Sequence, residues 1–340
     1  MSFYELPVAR VVEETPEARS FELAVPPELA ARFRYRAGQY LTFEVPVAGE
    51  RILRCYSLAS SPERSETHKV TVKRVPQGRG SGWFHEQVKA GTRLRVMPPL
   101  GRFVLHDSPL PLLFFAGGSG ITPVIGLIKS ALAATPRRIR LLYANRDARS
   151  VIFAAELEAL ARRQPERFEC VHHLDDAEGF VDAGAVRRAR AGFEDAEAYL
   201  CGPAPFMALI EETLRSAGVP AERIRIERFE LPVHPEAPGA PPPPAAEPAP
   251  SEIVVHLEGK AHRIPYRAGQ TILDAARTAG LQPPFACEEA FCGSCAAKRV
   301  RGRVVLDRND VFTARELEEG WILTCHGRAA SPDCEITWDT

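Results

Sequence analysis

The sequence predicts a multidomain protein: an antiparallel β-barrel, then an α/β domain with a parallel sheet, then a small α+β domain. Three observations lead to this prediction. Short alternating apolar runs broken by Gly and Pro fill residues 1–105, and strand-like runs alternate with helical ones over 106–231. Nine of the nineteen residues in 232–250 are Pro, and strand and helix patterns return over 251–340. We therefore predict three domains, with 232–250 as a Pro/Ala-rich linker.

The composition is that of an ordinary globular protein. The chain has 340 residues, of which 45% are hydrophobic and 26% charged, and its formal net charge is −1. This balance gives no strong field for binding nucleic acid or an anionic membrane. No apolar run reaches the roughly 18–20 residues of a membrane span. The N-terminus shows no basic stretch followed by an apolar core, so we expect a cytoplasmic protein with reduced thiols.

The barrel prediction depends on runs such as "RSFELAV", "QYLTFEV", "KVTVKRV" and "TRLRVMP". Their period of two is that of half-buried antiparallel strands. The stretch "RCYSLASSP" then supplies Arg54, Tyr56 and Ser57 at a strand end. An Arg suits a pyrophosphate, an aromatic ring stacks on a flat heterocycle, and a hydroxyl donates to a ring nitrogen. The Gly-rich turn with Ser81 that follows can present backbone N–H groups to phosphate at a helix start.

The second domain alternates apolar strands with helices, which is typical of a parallel sheet that binds its ligand at the carboxyl ends of its strands. The strand "PLLFFAG" precedes the helix "VIGLIKSALAA", "RIRLLYA" precedes "VIFAAELEALARR", and "AEAYLCG" precedes "FMALIEETLRSA". The turn "FFAGGSGITP" differs from the GxGxxG fingerprint because Pro123 stands where the third Gly would be. Pro is suited to the first turn of a helix.

Three cysteines near the C-terminus fall within nine residues. The spacing is Cys287-x4-Cys292-x2-Cys295, and Cys325 follows after 29 intervening residues. Zinc sites usually show two separated C-x2-C pairs or added His ligands, whereas C-x4-C-x2-C with a distant Cys is the plant-type [2Fe–2S] spacing. The sequence therefore predicts a [2Fe–2S] cluster, with a zinc site as the alternative.

Residues 251–340 resemble the plant-type ferredoxins, through "RAGQTILDAARTAG", the cysteine loop and "GWILTC". The resemblance implies a β-grasp α+β fold and makes the four cysteines the cluster ligands. The family usually has Gly two residues before the second ligand, and here Ala290 stands there. If that position needs a positive φ, Ala strains the loop slightly, and we expect a shifted potential with the cluster retained.

Residues 1–231 resemble the ferredoxin–NADP reductase superfamily, through its RxYS and GxxS patterns, its GG(S/T)GI(T/A)P turn and its CGP turn. The resemblance implies an FAD-binding barrel and an NAD(P)-binding domain. The FAD contacts that it implies are Arg54, Tyr56, Ser57, Lys73, Val75, Gly80, Ser81 and Gly82. The nucleotide contacts that it implies are Gly118, Ser119, Gly120, Thr122, Cys201, Gly202 and Pro203, and the catalytic residues that it implies are Ser57, Thr122 and Cys201. Phe229 in "IERFE" is implied to cover the flavin face, and Cys201 has the alternative of being only a small buried residue.

The choice of nucleotide depends on the end of the second strand, "YANRDARS". Arg accommodates a 2′-phosphate, whereas an acid binds the ribose hydroxyls of NAD. Arg146, with Arg149 or Ser150 nearby, favours NADPH, and Asp147 keeps NADH as the alternative.

The order of flavin barrel, nucleotide domain and ferredoxin resembles that of reductase components of bacterial oxygenases. Within them it looks most like the phenylacetyl-CoA epoxidase reductase subunit, with 3-ketosteroid hydroxylase and phthalate dioxygenase reductases as further relatives. The resemblance implies an enzyme that carries electrons from NAD(P)H through FAD and a [2Fe–2S] cluster to a partner oxygenase. The alternatives are a reductase for a desaturase or for a ring- or steroid-hydroxylating monooxygenase, and a non-catalytic redox sensor.

The remaining candidates are interpreted as structural. His172 and His173 beside Asp175 and Asp176 could bind a metal, but no third ligand appears at close spacing, which favours a solvated strand end. The three cysteines with no predicted binding role, Cys55, Cys170 and Cys334, are expected to pack as small apolar side chains.

Overall fold

The computed structural model describes residues 3–229, 250–285, 288, 290, 293–309, 311–312 and 314–339. The chain divides into two compact units, Ser2–Phe229 and Glu230–Thr340. The first unit holds a six-stranded and a five-stranded sheet, and the second holds a five-stranded mixed sheet and a two-stranded one.

Six antiparallel strands and one helix build the N-terminal half of the first unit. Their bounds are β1 (Tyr4–Thr15), β2 (Ala18–Leu23), β3 (Tyr40–Val47), β4 (Glu50–Ser57), β5 (His68–Lys73), α1 (Arg79–Gln87) and β6 (Arg93–Val96). The strand order is β4-β3-β6-β1-β2-β5. An isolated bridge between Leu58 and Val70 links the two edges of the sheet, so the strands close into a barrel.

The barrel core follows from the period-two pattern of its strands. Alternate residues of β3, such as Leu41, Phe43 and Val45, are buried in the barrel core. They pack there with side chains from all five of the other strands. Phe84 of α1 packs edge-to-face on Phe21 and Phe43, with ring centroids 5.3 Å apart in both pairs. Helix α1 therefore closes one side of the barrel.

A five-stranded parallel sheet follows in the same unit, in the order β11-β10-β7-β8-β9. Its elements are β7 (Leu112–Gly117), α2 (Ile121–Ala134), β8 (Ile139–Asn145), α3 (Ala154–Arg163), β9 (Phe168–Leu174), α4 (Asp175–Glu178), α5 (Ala183–Arg190), β10 (Glu197–Cys201), α6 (Ala204–Ser216) and β11 (Ile224–Glu227). Every residue of β7 is buried, as the continuous apolar run of a central parallel strand requires. Separate apolar clusters cover the two faces of the sheet.

One helix starts later than the sequence pattern predicts. The apolar run from Val151 suggested a helix over 151–163, but α3 begins at Ala154 because Phe153 has a left-handed φ of 61°. Val151, Ile152 and Phe153 are buried against the apolar cluster of α2. Their hydrophobicity reflects this packing, not a helical face.

The second unit has a mixed five-stranded sheet in the order β13-β12-β18-β14-β16 and a separate β15–β17 pair. Its elements are β12 (Glu252–Leu257), β13 (Lys260–Pro265), α7 (Ile272–Thr278), β14 (Ala296–Arg301), β15 (Val304–Leu306), α8 (Ala314–Glu318), β16 (Trp321–Leu323), β17 (Gly327–Ala329) and β18 (Glu335–Thr337). Helix α7 begins where the Thr271 hydroxyl accepts from the Asp274 N–H at 3.1 Å, and Gly280 follows its end with a φ of 81°.

The predicted fold class is confirmed: an antiparallel barrel, a parallel α/β sheet and a small α+β domain occur in this order. The domain boundaries stay a prediction. Residues 232–249 of the predicted linker lie outside the described residues. Within the described ranges, no helix combines the length and the apolar character that crossing a membrane requires.

Candidate functional site

Strand β4 presents the first group of predicted contacts. Arg54 is exposed, Tyr56 is half-buried and Ser57 is buried at the strand end. The Tyr56 ring lies 5.8 Å from Phe43 and 5.0 Å from Phe84, centroid to centroid. Burial raises the pKa of the Tyr56 hydroxyl, so the ring is neutral at physiological pH and fixed by aromatic neighbours. Such a ring can form one wall of a flat binding slot.

Helix α1 lies against the same strand through a glycine. A Cβ on Gly80 would stand 2.8 Å from Cγ of Arg54, so only glycine leaves space for the Arg54 stem. The Ser81 hydroxyl accepts a hydrogen bond from the Val75 N–H at 3.1 Å and thereby closes the turn before the helix. Nothing lies within 4 Å of a Cβ position on Gly82. The arrangement leaves the start of α1 beside an Arg, which suits a phosphate group.

Two further predicted flavin contacts lie at the end of β5. Val75 is half-exposed and helps to line a surface cleft of about 420 Å³ with Gly82 and Trp83. The Lys73 ammonium group is 3.9 Å from a carboxylate oxygen of Glu17. The structure therefore places the eight predicted flavin contacts on β4, at the end of β5, in the turn that follows β5 or in the first turn of α1.

The nucleotide turn joins β7 to α2. Residues Gly118–Gly120 form a 3₁₀ turn in which Gly118 has a φ of 53°. A Cβ on Gly120 would stand 2.0 Å from the carbonyl oxygen of Cys201, so the turn can approach the end of β10 only with glycine there. The Thr122 hydroxyl donates to the Ser119 carbonyl at 3.0 Å and holds the turn closed.

The end of β10 completes this edge of the sheet. A Cβ on Gly117 would meet Pro203 at 2.8 Å, and one on Gly202 would meet the Gly117 backbone at 3.0 Å. The predicted nucleotide contacts on the two turns are therefore in direct contact. They meet at the carboxyl ends of β7 and β10, where open α/β sheets bind ligands.

Cys201 is fully buried and unsuited to act as a nucleophile. Burial raises the pKa of its thiol well above the ordinary value, and the charge of Glu227 acts in the same direction. The thiol is therefore neutral, and its complete burial fits the alternative of a small packing residue at the strand end. Phe229 packs partly buried on the same apolar cluster as Cys201.

The end of β8 carries the residues that bear on the choice of nucleotide. The Arg146 guanidinium lies 3.0 Å from Oδ2 of Asp147 and 3.5 Å from Oε1 of Glu17. The Asp147 carboxylate also accepts from the Ser150 N–H at 2.9 Å. The hydrogen bond from Arg146 lowers the pKa of Asp147. Asp147 and Arg146 are thus engaged with each other, and Arg146 and Arg149 are exposed.

Two residues near this edge were missed from the sequence. The Tyr143 hydroxyl donates to the Gly118 carbonyl at 3.1 Å and supports the turn. Asn145 is buried, and among the described residues its side-chain amide has no hydrogen-bond partner. A polar residue closing an otherwise apolar strand was the available signal for Asn145.

The second unit brings two of the predicted cluster ligands together. The Sγ atoms of Cys295 and Cys325 are 3.2 Å apart, and both residues are buried. The pairing of β14 with β16 sets this approach, since Ala296 opposes Leu323 and each is close in sequence to a ligand. Cys287 and Cys292 lie outside the described residues. Two thiols converging in a buried pocket fit a thiolate-ligated cluster.

The surroundings of these thiols are apolar. Leu273, Ala290, Phe312 and Leu323 form one buried cluster with the two cysteines. Ala290 has a φ of 60° and is only 1% exposed, so the position does require the left-handed conformation considered from the sequence. A dry pocket of this kind is where a cluster's potential responds to small changes in its surroundings.

The remaining cysteines are packed side chains, whereas His173 is buried with its Nε2 2.9 Å from the Gly179 carbonyl oxygen and is not part of a solvated strand end. Burial raises the pKa of Cys170 to about 12 and that of Cys334 to about 11, so neither is a reactive thiolate. Cys55 lies beside the Thr42 hydroxyl at 3.5 Å. In the part of the chain that is described, no three His, Cys, Asp or Glu side chains gather as a metal site, the His172–His173 region included.

Comparison with known proteins adds three family matches in one chain. Residues 5–105 match the oxidoreductase FAD-binding domain, 114–212 the oxidoreductase NAD-binding domain, and 255–330 the 2Fe-2S iron-sulfur cluster binding domain.

Proteins of similar length align with this chain from end to end. The ferredoxin reductase component of 3-ketosteroid-9-alpha-monooxygenase from Rhodococcus rhodochrous is 40% identical over 97% of this chain and 95% of that protein. One subunit of the 1,2-phenylacetyl-CoA epoxidase of Escherichia coli K12 is 30% identical over 99% and 98%. The crystal structure of phthalate dioxygenase reductase, described as a modular structure for electron transfer from pyridine nucleotides to [2Fe-2S], matches with a TM-score of 0.62 at 26% identity over 98% of both chains. The sequence identity to the steroid relative is thus higher than that to the epoxidase relative, although the motifs of this chain look most like the latter.

Proposed function

The chain belongs to the reductase components of oxygenases that carry FAD, NAD and [2Fe-2S] domains, and from this premise we propose which of its residues hold each group and which oxygenase it serves. It is an oxidoreductase that passes electrons from NAD(P)H through FAD and a [2Fe–2S] cluster to an oxygenase component. The observation that supports our residue assignment most strongly is the contact between the Gly118–Gly120 turn and Cys201, at the strand ends where a nucleotide would bind.

Arg54, Tyr56 and Ser57 hold the flavin in this proposal, with the first turn of α1 at its phosphates. Bound FAD accepts two electrons from a nicotinamide and releases them singly to a one-electron acceptor. The chain contributes position and shielding. Tyr56 is locked by Phe43 and Phe84 and presents a fixed surface, and the buried Ser57 hydroxyl is available to a ring nitrogen.

The nicotinamide nucleotide binds the Gly118–Gly120 turn, with Thr122 and the Cys201–Pro203 turn at the ring. The close packing of these turns holds their backbones in one position at this edge of the sheet, so that a bound nucleotide would be held in one position as well. No general acid or base is required of the thiol, which agrees with the raised pKa of Cys201.

We assign NADPH as the preferred donor. Arg146 is exposed at the end of β8, and a guanidinium suits a 2′-phosphate. The Asp147 carboxylate, which would otherwise bind the ribose of NADH, already accepts from Arg146 and Ser150. NADH remains the second candidate because Asp147 is only partly buried.

The cluster is held by Cys287, Cys292, Cys295 and Cys325 in this proposal. The 3.2 Å approach of the last two thiols within an apolar pocket supports it. Because thiolate ligands need reducing surroundings, we place the protein in the cytoplasm.

We propose a steroid-hydroxylating monooxygenase as the partner, because 40% identity extends over 97% of the chain in the steroid relative. The second candidate is an epoxidase like that of phenylacetyl-CoA. The stretches "NRDARSVIFAAEL" and "IERFE" favour it. Turnover with each oxygenase component, measured at equal concentration, separates the two.

An anaerobic titration with NADPH and with NADH tests the electron path and the nucleotide preference together. We expect flavin absorbance to bleach first and cluster absorbance to follow, at lower concentrations of NADPH than of NADH. In Arg146→Ala the NADPH dissociation constant should rise about tenfold, the loss of one charge-assisted contact, and that for NADH should stay within about twofold. Equal losses for both nucleotides would refute the role of Arg146. Binding of both cofactors without reduction would identify a redox sensor instead.

A further inference from the structure

Helix α2 is the element along which the barrel and the parallel sheet meet. A Cβ on Gly126 would stand 3.0 Å from the carbonyl oxygens of both Leu58 and Ser60. The helix backbone therefore lies directly against the segment that continues β4 out of the flavin site. The contact fixes how near the two halves come, but it does not by itself prevent α2 from sliding along the barrel.

Polar side chains one turn further along α2 supply that restraint. Ser130 and Ser61 share a buried hydrogen bond with their Oγ atoms 2.8 Å apart. The Lys129 ammonium donates to Glu66 at 2.6 Å and to Glu156 at 2.9 Å, and its side chain is 0% exposed. We call the six residues of this contact the domain seam: Ser61, Glu66 and Lys69 from the barrel, and Lys129, Ser130 and Glu156 from the parallel-sheet half.

The charges of the domain seam balance across the interface. Lys69 donates to the second oxygen of Glu156 at 3.1 Å, so two ammonium groups face two carboxylates. Burial opposes ionisation of Glu156, yet the charges of Lys129 and Lys69 outweigh it and lower the pKa of that carboxyl. A buried ion pair contributes little net stability compared with apolar packing, but it tolerates only one geometry because a separated charge is costly in a dry site.

The seam lies on the same rigid element as the nucleotide turn. Helix α2 begins at Ile121, directly after the Gly118–Gly120 turn, and carries Thr122 in its first turn. Lys129 is seven residues further on, or about 10 Å at the rise of an α-helix. A rotation or shift of α2 against the barrel would therefore move Thr122 relative to Ser57 at the end of β4.

We propose that the domain seam positions the nucleotide turn against the flavin strand, with Lys129 and Ser130 as positioning residues for flavin reduction. This inference rests on the proposed binding sites for FAD and the nicotinamide nucleotide. Electron transfer between stacked rings depends on their alignment, and a displacement of about 1 Å can slow such a step as much as a hundredfold.

Lys129→Met in the full-length holoenzyme tests the proposal. The variant keeps the length of the side chain and leaves no carboxylate alone, since Glu66 retains Arg64 at 3.3 Å and Glu156 retains Lys69. We expect the rate constant of flavin reduction at saturating NADPH, measured anaerobically by stopped flow, to fall about tenfold or more. The charge-transfer absorbance of the nicotinamide–flavin complex should weaken in parallel. Reoxidation of the flavin by ferricyanide should be unchanged.

Glu197→Gln is the matched control. Glu197 forms a buried ion pair of the same kind with Arg137, and this pair lies within the parallel-sheet half. The Arg137 side chain is 2% exposed and that of Glu197 is 7% exposed. We expect this control to lower Tm while flavin reduction stays within about twofold of the unchanged protein. If Lys129→Met behaves like this control, the seam is only a stabilising contact and the proposal is wrong.

The double variant Ser61→Ala and Ser130→Ala provides the second test if Lys129→Met does not fold. Removing both partners of a buried hydrogen bond leaves no orphaned donor, so the fold should persist. A slower flavin reduction with weaker charge-transfer absorbance supports the proposal, and unchanged values of both overturn it. Failure of NADPH to reduce the flavin of the unchanged protein would instead contradict the proposed function.

Discussion

At Ala290 the backbone adopts a conformation that residues other than glycine rarely take. The residue has a φ of 60° and is packed among Cys295, Cys325 and Leu323 in the cluster pocket. A left-handed conformation costs an L residue about 1–2 kcal/mol. The sequence suggested a positive φ here because plant-type ferredoxins usually have Gly at the position of Ala290. Its consequence for the potential stays a prediction.

Substitutions of Ala290 test how much the loop depends on this conformation. In Ala290→Gly the backbone strain at positive φ is relieved, which stabilises the fold by about 1–2 kcal/mol. The loss of a buried methyl group costs about 0.8 kcal/mol, and the greater freedom of the unfolded chain costs about 0.5–1 kcal/mol. We therefore expect cluster content and Tm close to those of the unchanged protein. In Ala290→Val a β-branched side chain at positive φ should cause loss of the cluster. Visible absorbance per protein measures this, and a full cluster in the Val variant would show that the loop is not constrained as described.

At the scale of elements, the binding edge of the parallel sheet depends on close approach between two turns. The turn after β7 and the turn after β10 touch because Gly117, Gly120 and Gly202 carry no side chain. The sequence indicated these turns through their motifs, and the role of each residue in binding stays a prediction. It did not indicate the support from Tyr143, because the hydrogen bond joins residues 25 positions apart.

Gly120→Ala should disrupt this edge. Its Cβ would overlap the Cys201 carbonyl, so one of the two turns must move, at a cost of about 3 kcal/mol. We expect weaker NADPH binding and slower flavin reduction, measured by stopped flow. Gly184→Ala in α5 is the control, since its Cβ would press on the Asp182 and Arg188 side chains and disturb only the start of that helix, where Asp182 accepts from the Ala185 N–H. Nucleotide binding that survives Gly120→Ala would show that the turn does not hold the nucleotide.

For the whole molecule, fold class and cofactor set were readable from the sequence because each is encoded in short local patterns. Strand period, Gly-rich turns and cysteine spacing all lie within a few dozen residues. The domain seam was not readable. Lys129 meets Glu66 and Glu156, which are 63 and 27 positions away, and nothing local distinguishes these charges from solvated ones. Long-range pairing of this kind emerges only when the two halves are packed together.

The Pro-rich segment 232–250 carries the prediction for the whole chain. If the ferredoxin domain must reach both the flavin and the oxygenase, deleting residues 236–248 should slow turnover with the oxygenase more than flavin reduction by NADPH. Replacing the same residues with an equally long Gly/Ser sequence is the control, and it should restore most of the turnover. Steady-state turnover and stopped-flow flavin reduction measure the two steps. Equal slowing of both steps by the deletion would contradict the prediction.

The domain seam also decides where this chain can be cut and recombined. A chimaera that takes its barrel from another reductase would bury Lys129 against a foreign surface, so the donor must supply a carboxylate at the place of Glu66. Exchange of the C-terminal unit removes none of the six seam residues, because all of them precede Phe229. Grafting a different ferredoxin after residue 229 therefore keeps all six seam residues. The barrel and the nucleotide domain should be transferred together in a chimaera.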